Sequence, residues 1–395
     1  MILGPFNYEI MLTFILIGVL MSMLSQRLGV SYTTSLLLLG IFITFLNIRL
    51  GLFPQAAALT SLLSTQVFFG IILPPIIFKA TLDLDLNLFA DNLWPIVYLA
   101  TIGVLISVVL ISLLVHLLLG MPWFYSLIFA TIISPTDPVG VIAALKRARG
   151  VSMTASLVEG EALLNDATAV SLFSILLSIR LSTTFLSYLR IIGAVFLLSP
   201  VIGYLMGYFA RRIMPYLQSM ESRIALLLSA SYISFLISQA AGGSGIISEI
   251  ITGVVISRGL GDERGEINAF WSVLDYIVTS LLFISMGLVF NPYLIIGYGA
   301  VIAVSFIIVF ISRVALVRTL MLFRERYDYP LVVLSGIRGA IPLVLALNLP
   351  EIISSGTDYT RLIVAMTVGI ASISLIFQTA LAQRRISRIE REMRS

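Results

Sequence analysis

Long apolar stretches alternate with short polar segments along almost the whole chain. A membrane-spanning helix needs about 20 mostly apolar residues, and runs of about this length, bounded by charge, proline or glycine, recur along the sequence. The pattern predicts an all-α polytopic membrane protein with about thirteen transmembrane helices. Their expected bounds are 8–26, 32–48, 57–78, 92–119, 123–146, 152–179, 185–210, 221–241, 244–259, 269–290, 293–319, 329–349 and 358–382.

The composition excludes several other classes of protein. Apolar residues make up 59% of the chain and charged residues 11%, against about 45–50% and about 25% in soluble domains. So few charges cannot cover a surface that faces water, which excludes a soluble enzyme, a disordered chain and a nucleic-acid-binding protein. There is no cysteine and one histidine, His116, so a zinc or haem site is not expected and no cofactor is predicted.

The positions of lysine and arginine predict the orientation. With the N-terminus outside, the outer loops hold only Arg49, Arg180 and Arg361 of the 24 basic residues, and most of the others fall on the inner side. Cytoplasmic loops carry such an excess. We therefore expect an internal C-terminus, a short basic cytoplasmic tail over 383–395 and no soluble regulatory domain. The lack of a transit peptide favours a prokaryotic inner membrane.

Two spans are predicted to be interrupted near the middle of the membrane. Residues 134–138 (Ser-Pro-Thr-Asp-Pro) contain two prolines, each of which removes a backbone donor, and residues 335–342 place two glycines and a proline around Arg338. Irregular backbone at this depth is tolerated only where it lines protein or a cavity. Asp137 precedes the second half-helix, whose positive N-terminal end suits a carboxylate. A proline kink capped by Asp137 is the simpler alternative.

The two interrupted spans occupy matching positions in the chain. If 185–210 is a linker helix, residues 8–180 and 221–382 form two six-helix halves of inverted topology, and the interrupted helix is the fifth of each. Such a pair of interrupted segments indicates the binding site of a transporter. The symmetry rests on hydropathy, because no repeat of residues is evident.

Charged residues within the spans need a reason, because each costs at least about 2.5–3.5 kcal/mol at the membrane centre. The sixth span carries Glu159, Glu161, Asn165 and Asp166, with 159 and 166 on one helix face. A buried carboxylate avoids an isolated charge by holding a proton or a cation, which is the requirement for exchange at a single site. A polar network that joins helices is the alternative. Arg338 keeps its charge and is expected to pair with Glu161 or, second, with Glu159.

Four motifs, in this order, resemble the cation/proton antiporter-1 family, which contains prokaryotic sodium/proton antiporters and the animal sodium/proton exchangers. They are Leu73–Phe78, Thr136-Asp137-Pro138, the stretch from Glu161 to Asn165-Asp166, and Gly336-Ile337-Arg338-Gly339-Ala340. The resemblance covers the whole membrane region. It implies a homodimer in the cell membrane that exchanges Na⁺, or Li⁺, for H⁺ by alternating access and takes part in pH regulation.

The resemblance also implies roles for single residues. Asp166 would bind the ion and the proton, and Asp137 and the Thr136 carbonyl would complete the Na⁺ site where the broken helices cross. Asn165 would also belong to the ion-binding residues, and its presence in place of a second aspartate marks the branch that exchanges one Na⁺ for one H⁺. Glu161 would form a structural ion pair with Arg338.

The chain departs from the family pattern at three positions. Ala162 stands where members often carry serine, Lys79 where they often carry an acid, and Glu249 where they are usually apolar or small. We expect Glu249 to pair with Arg313 or Lys79, or to form an extra carboxylate on the ion path. The residues left without an assigned role are Glu159, Glu249, Lys79 and Ser335, and Asp275 is a further acid within a predicted span.

Other functions remain open from the residues alone. An antiporter with K⁺ or broader cation preference, and a channel or proton symporter on the same scaffold, would use the same carboxylates. Gly242-Gly243-Ser244-Gly245 fits a signature of intramembrane serine proteases, with His116 as the single available base. Gly259-Leu260-Gly261-Asp262 fits that of intramembrane aspartyl proteases, although a solvated turn explains it better. No enzymatic activity is predicted.

Overall fold

The computed structural model describes residues 8–28, 30–51, 60–61, 63–148, 150–180, 190, 192–290, 292–320, 327–352 and 358–392. All regular structure within these ranges is helical. The predicted beginnings of the third span (57–59) and of the linker helix (185–189), and the end of the tail (393–395), lie outside the described residues.

Seventeen helices follow one another along the described chain. They are α1 (Tyr8–Leu28), α2 (Tyr32–Leu50), α3 (Thr65–Asp83), α4 (Leu86–Asp91), α5 (Leu93–Leu119), α6 (Trp123–Ile133), α7 (Val139–Arg147), α8 (Ser152–Arg180), α9 (Ala194–Tyr216), α10 (Met220–Ala240), α11 (Gly245–Ser257), α12 (Arg264–Leu288), α13 (Pro292–Gly297), α14 (Gly299–Thr319), α15 (Tyr329–Leu334), α16 (Ala340–Ile352) and α17 (Asp358–Glu392). A short 3₁₀ turn, Gly261–Glu263, precedes α12.

Most helices follow the predicted apolar pattern, but α3 runs five residues past the third predicted span and the eleventh predicted span is divided into α13 and α14. Among the described residues, nine helices are long and apolar enough to cross a membrane, and shorter apolar helices accompany them. The number of crossings and the direction of the chain in the membrane stay predictions. The last helix differs from expectation, because α17 continues through the basic segment to Glu392. Arg385 in this extension donates to the Asp328 carboxylate at 2.8 Å and so ties the extension to the start of α15.

Both predicted interruptions are present as breaks in the helices. The first broken segment consists of α6, the irregular residues 134–138 and α7, and the second consists of α15, residues 335–339 and α16. Asp328 caps α15 by accepting from the backbone N–H of Leu331 at 2.9 Å. The two breaks follow from local chemistry, because proline cannot donate the helical hydrogen bond and glycine adds flexibility to the chain.

Helices α2 and α12 pack closely against each other. Helix α12 packs on α2 where Gly40 meets Gly287, so closely that a Cβ at Gly40 would lie 2.3 Å from the carbonyl oxygen of Ile284. Because neither glycine has a side chain, the two helix backbones pack directly against each other at this point. This contact fixes the position of α12, which brings Asp275 to the site described next.

Candidate functional site

The two broken segments cross and bond to each other through their irregular backbone. The Asp137 N–H donates to the Ile337 carbonyl at 2.7 Å. The Arg338 side chain donates through Nη1 to the carbonyls of Ser134 at 2.7 Å and Pro135 at 3.0 Å. In a continuous helix the Ser134 carbonyl would accept from residue 138, but Pro138 has no N–H to give. Arg338 therefore supplies the donor that the first break lacks.

Asp137 is enclosed by both breaks. Its Oδ1 accepts from the backbone N–H of Val139 at 3.0 Å, so the carboxylate satisfies the first free N–H of α7. On its other side lies Gly339, where a Cβ would stand 2.1 Å from Asp137 Oδ2. Only glycine leaves room for the carboxylate at this crossing.

Replacing Gly339 by alanine is therefore expected to displace Asp137 and to destabilise the crossing. Overpacking of this kind costs typically about 1–3 kcal/mol, which a thermal unfolding measurement in detergent detects as a lower midpoint. Gly193→Ala is the matched control, because Gly193 lies in helical backbone and its added Cβ would meet nothing within 4 Å. Equal unfolding midpoints for the two variants would show that the crossing yields to the added methyl group.

Helix α8 brings two further polar side chains against the first break. Asn165, 1% exposed, donates through Nδ2 to the Thr136 hydroxyl at 2.9 Å. Its Oδ1 is buried and has no hydrogen-bond partner among the described residues. Asp166 follows on the helix, and its side chain lines the same cavity as that of Asp137. Two carboxylates that face one small cavity would together attract a cation.

Asp166 and Asp137 line a cavity of about 150 Å³. This volume holds several water molecules or a partly hydrated ion. Other residues that line it include Thr136, Glu159, Ala162, Asp275, Thr279 and apolar side chains of α3, α12 and α16. The cavity therefore places carboxylate oxygens, the kind of ligand that hard cations prefer, around a space large enough for a small cation.

Asp275 is the site residue whose placement the sequence did not indicate. It reaches the cavity from α12, and Thr279, one turn later, donates to its Oδ1 at 3.3 Å. The available signal was an acidic residue within an apolar span. Nothing in the local sequence showed that this face of α12 turns toward α8 and the broken segments.

The predicted ion pair between Glu161 and Arg338 is wrong. Glu161 instead accepts two hydrogen bonds from Arg313 of α14, one of them at 2.8 Å, and both side chains are buried. Arg313 Nη2 also donates to the Val332 carbonyl at 3.0 Å. That carbonyl has lost its helical partner at the second break, where Gly336 bonds to Val333 instead. Arg313 therefore binds both Glu161 and the free carbonyl of the second break. This leaves the Arg338 side chain free to donate to the carbonyls of the first break.

The other expected partners are also corrected. Glu159 pairs with Lys146 at 2.5 Å rather than with Arg338. Lys79 pairs with Asp83 one turn along α3, and Glu249 accepts from Ser231 of α10. The expectation that Glu249 pairs with Lys79 or Arg313 is therefore wrong, because both basic groups are already engaged.

Two residues of minor motifs have simple structural roles. The Ser335 hydroxyl is buried at the second break without a described partner. Ser244 caps α11 by accepting from the Ile247 N–H at 3.4 Å. His116 contacts the Met121 carbonyl at 2.8 Å and stacks on Trp123, so its described contacts do not include Ser244. The geometry gives no support to a serine–histidine pair.

Comparisons with known proteins point to one family. The family model described as "Sodium/hydrogen exchanger, transmembrane" matches residues 11–383. The chain is 27% identical to the Na(+)/H(+) antiporter ApNhaP of Aphanothece halophytica over 91% of this chain and 70% of that protein. It is 29% identical to the Na(+)/H(+) antiporter NhaP of Pseudomonas aeruginosa over 80% of this chain and 79% of that protein.

A solved structure shares the fold. The sodium proton antiporter MjNhaP1 from Methanocaldococcus jannaschii superposes with a TM-score of 0.82 at 19% identity, covering 97% of this chain and 98% of that one. The family match extends across both broken segments and the helix that carries Asp166. The chain belongs to the sodium/hydrogen exchanger family.

Proposed function

We propose that this protein exchanges Na⁺ for H⁺ across a cell membrane, one for one, with both ions competing for Asp166. The observation that carries the proposal is the position of Asp166 beside Asp137, in a cavity where two broken helices cross. The names of the relatives, which are Na⁺/H⁺ antiporters, support it. We further propose a homodimer in a prokaryotic inner membrane.

The cation would be held by oxygen atoms. Hard cations prefer oxygen ligands, and the site offers the carboxylates of Asp166 and Asp137 together with Thr136. Asn165 holds the Thr136 hydroxyl in place through its amide. Protonation of Asp166 removes the charge that attracts the cation, so one carboxylate takes either ion but not both.

Coupling follows from the cost of an empty site. An uncompensated carboxylate is expensive to move through an apolar barrier, so the site changes its access only when Asp166 carries H⁺ or Na⁺. Asn165 is neutral and Glu161 is paired with Arg313, which leaves Asp166 as the single carboxylate of this stretch that exchanges its ion. This supports an electroneutral exchange.

Transport in proteoliposomes tests the proposal. An outward Na⁺ gradient is expected to acidify the vesicle lumen, read by an enclosed pH dye, and the rate should not change when valinomycin and K⁺ clamp the membrane potential. Equal acidification by an outward K⁺ gradient would replace the Na⁺ assignment with a broader cation preference. A membrane potential generated by the Na⁺ gradient, without proton movement, would indicate a channel.

Asp275→Asn is expected to weaken the apparent affinity for Na⁺ without abolishing transport. The carboxylate lines the cavity, and its hydrogen bond within the described residues is with Thr279 of its own helix. One unit charge is worth about 1 kcal/mol at 4 Å in water, which corresponds to about a fivefold rise in KM. Glu266→Gln, which removes an exposed charge from the same helix, is the control and should leave KM unchanged. An unaltered KM in the Asp275 variant contradicts a role in attracting the cation.

A further inference from the structure

A second cavity lies away from the ion site, between the ends of α9 and α11. Its volume is about 490 Å³. Helix α9 lines it with Tyr204, Tyr208, Arg211, Arg212 and Tyr216, and Arg258 closes it from the end of α11. The groove therefore collects three guanidinium groups and three phenol rings on two neighbouring helices.

Within the part of the chain that the structure describes, the three arginines have no partners of opposite charge. Arg211, Arg212 and Arg258 make no ion pair or side-chain hydrogen bond within the described part of the chain. Glu263, an acid in the turn that follows α11, is taken by Arg223. Among the described side chains, the groove is thus a positive surface without a compensating acid.

Close packing holds one of these arginines at the groove. A Cβ at Gly259 would lie 2.5 Å from Arg211 Nε, so the arginine side chain rests directly on the backbone of the turn after α11. The carbonyl ends of helices favour nearby cations, which helps to keep the guanidinium groups there. Three positive charges on one groove still repel one another, and an anion between them would relieve the repulsion.

The chemistry of the groove suits a phosphate group. The planar guanidinium donates two parallel hydrogen bonds to phosphate oxygens, and the exposed tyrosine hydroxyls add further donors. Tyr204, Tyr208 and Tyr216 are 56%, 49% and 77% exposed. Tyrosine and arginine at the end of an apolar helix are typical of the membrane–water interface.

The rest of α9 indicates that the phosphate belongs to a lipid headgroup. The helix exposes apolar side chains, including Leu197 and Val201, and these two lie before the groove residues in the chain. A lipid whose headgroup entered the groove would lay its acyl chains along this surface. Basic pockets between helices at the membrane surface are suited to anionic lipid headgroups.

We propose that this groove binds the phosphodiester headgroup of an anionic phospholipid. The arginines donate hydrogen bonds to the phosphate oxygens, the tyrosines contact the headgroup, and the acyl chains pack on the apolar surface of α9. This site is separate from the cavity of Asp166 and does not depend on the transported ion.

Native mass spectrometry of the purified protein with phosphatidylglycerol and phosphatidylcholine tests the proposal. We expect phosphatidylglycerol, but not phosphatidylcholine, to remain bound, and R211Q/R212Q/R258Q to weaken its binding at least tenfold. The matched control is R384Q/R388Q/R391Q, which removes three positive charges from the exposed side of α17. This control should retain wild-type binding.

Four outcomes would overturn the proposal. Equal losses in the two triple variants would reduce the effect to general surface charge, and equal retention of both lipids would remove the selectivity for an anion. Displacement of phosphatidylglycerol by millimolar inorganic phosphate would assign the groove to a soluble anion. A change in oligomeric state of the groove variant, without any lipid binding by the wild type, would make the groove an interface with a second copy.

Discussion

Asp166→Asn is expected to abolish the exchange of Na⁺ for H⁺ while the protein remains folded. Asparagine keeps the size of the side chain but neither releases a proton nor carries the charge that a dehydrated cation needs, so both half-reactions stop. Asp166 makes no ion pair within the described residues, and an amide costs less to bury than a carboxylate. The thermal unfolding midpoint should therefore stay equal or rise. The rate of exchange is measured in dye-loaded proteoliposomes. The unfolding midpoint is measured by heating the protein in detergent.

The control for this prediction is Asp91→Asn, the same chemical change at an exposed position at the end of α4. It should transport at the wild-type rate. Residual Na⁺-driven acidification by the Asp166 variant, above that of empty vesicles, would contradict competition at this carboxylate and move the site elsewhere in the cavity.

Arg313→Met is expected to cause the largest loss of stability. The change leaves the Glu161 carboxylate buried without its partner and frees the Val332 carbonyl at the second break. Removing one member of a buried ion pair typically costs about 3–5 kcal/mol. We expect a strongly lowered unfolding midpoint or loss of folded protein, measured by fluorescence-detected size-exclusion chromatography after heating.

Two further variants distinguish the effect of breaking the ion pair from the general effect of removing an arginine. Arg318→Met removes an exposed arginine from the same helix and should be neutral. The double variant Arg313→Met with Glu161→Leu should recover part of the stability, because it leaves no buried charge unpaired. A double variant no more stable than Arg313→Met alone would place the cost in the freed carbonyl rather than in the carboxylate.

The two arginines illustrate how the broken segments are stabilised. Arg338 donates to the carbonyls of Ser134 and Pro135 at the first break, and Arg313 donates to that of Val332 at the second. Buried carbonyls without donors are costly in a membrane. Each break therefore depends on one permanently charged side chain that cannot release its proton. In both cases the arginine that donates to a break lies far from that break in the sequence.

Local chemistry explains what could be predicted from the sequence. Apolar run length predicted the helical segments, because a span needs a continuous apolar surface. Prolines 135 and 138 and glycines 336 and 339 predicted both breaks, because their effect on the backbone acts within one turn. The acids at 137 and 166 were recognisable as candidates from their position within apolar runs alone.

The sequence by itself determined the helices, the places where two of them break, and the acids that need a partner. Only the tertiary structure decided the pairing: Arg313 with Glu161, Arg338 with the carbonyls of the first break, and Asp275 in the cavity. Backbone breaks depend on residues within a few positions of each other, whereas an ion pair depends on the rotation of helices far apart in the chain. Glu161 and Arg313 are 152 residues apart, and no local pattern encodes which faces of α8 and α14 meet.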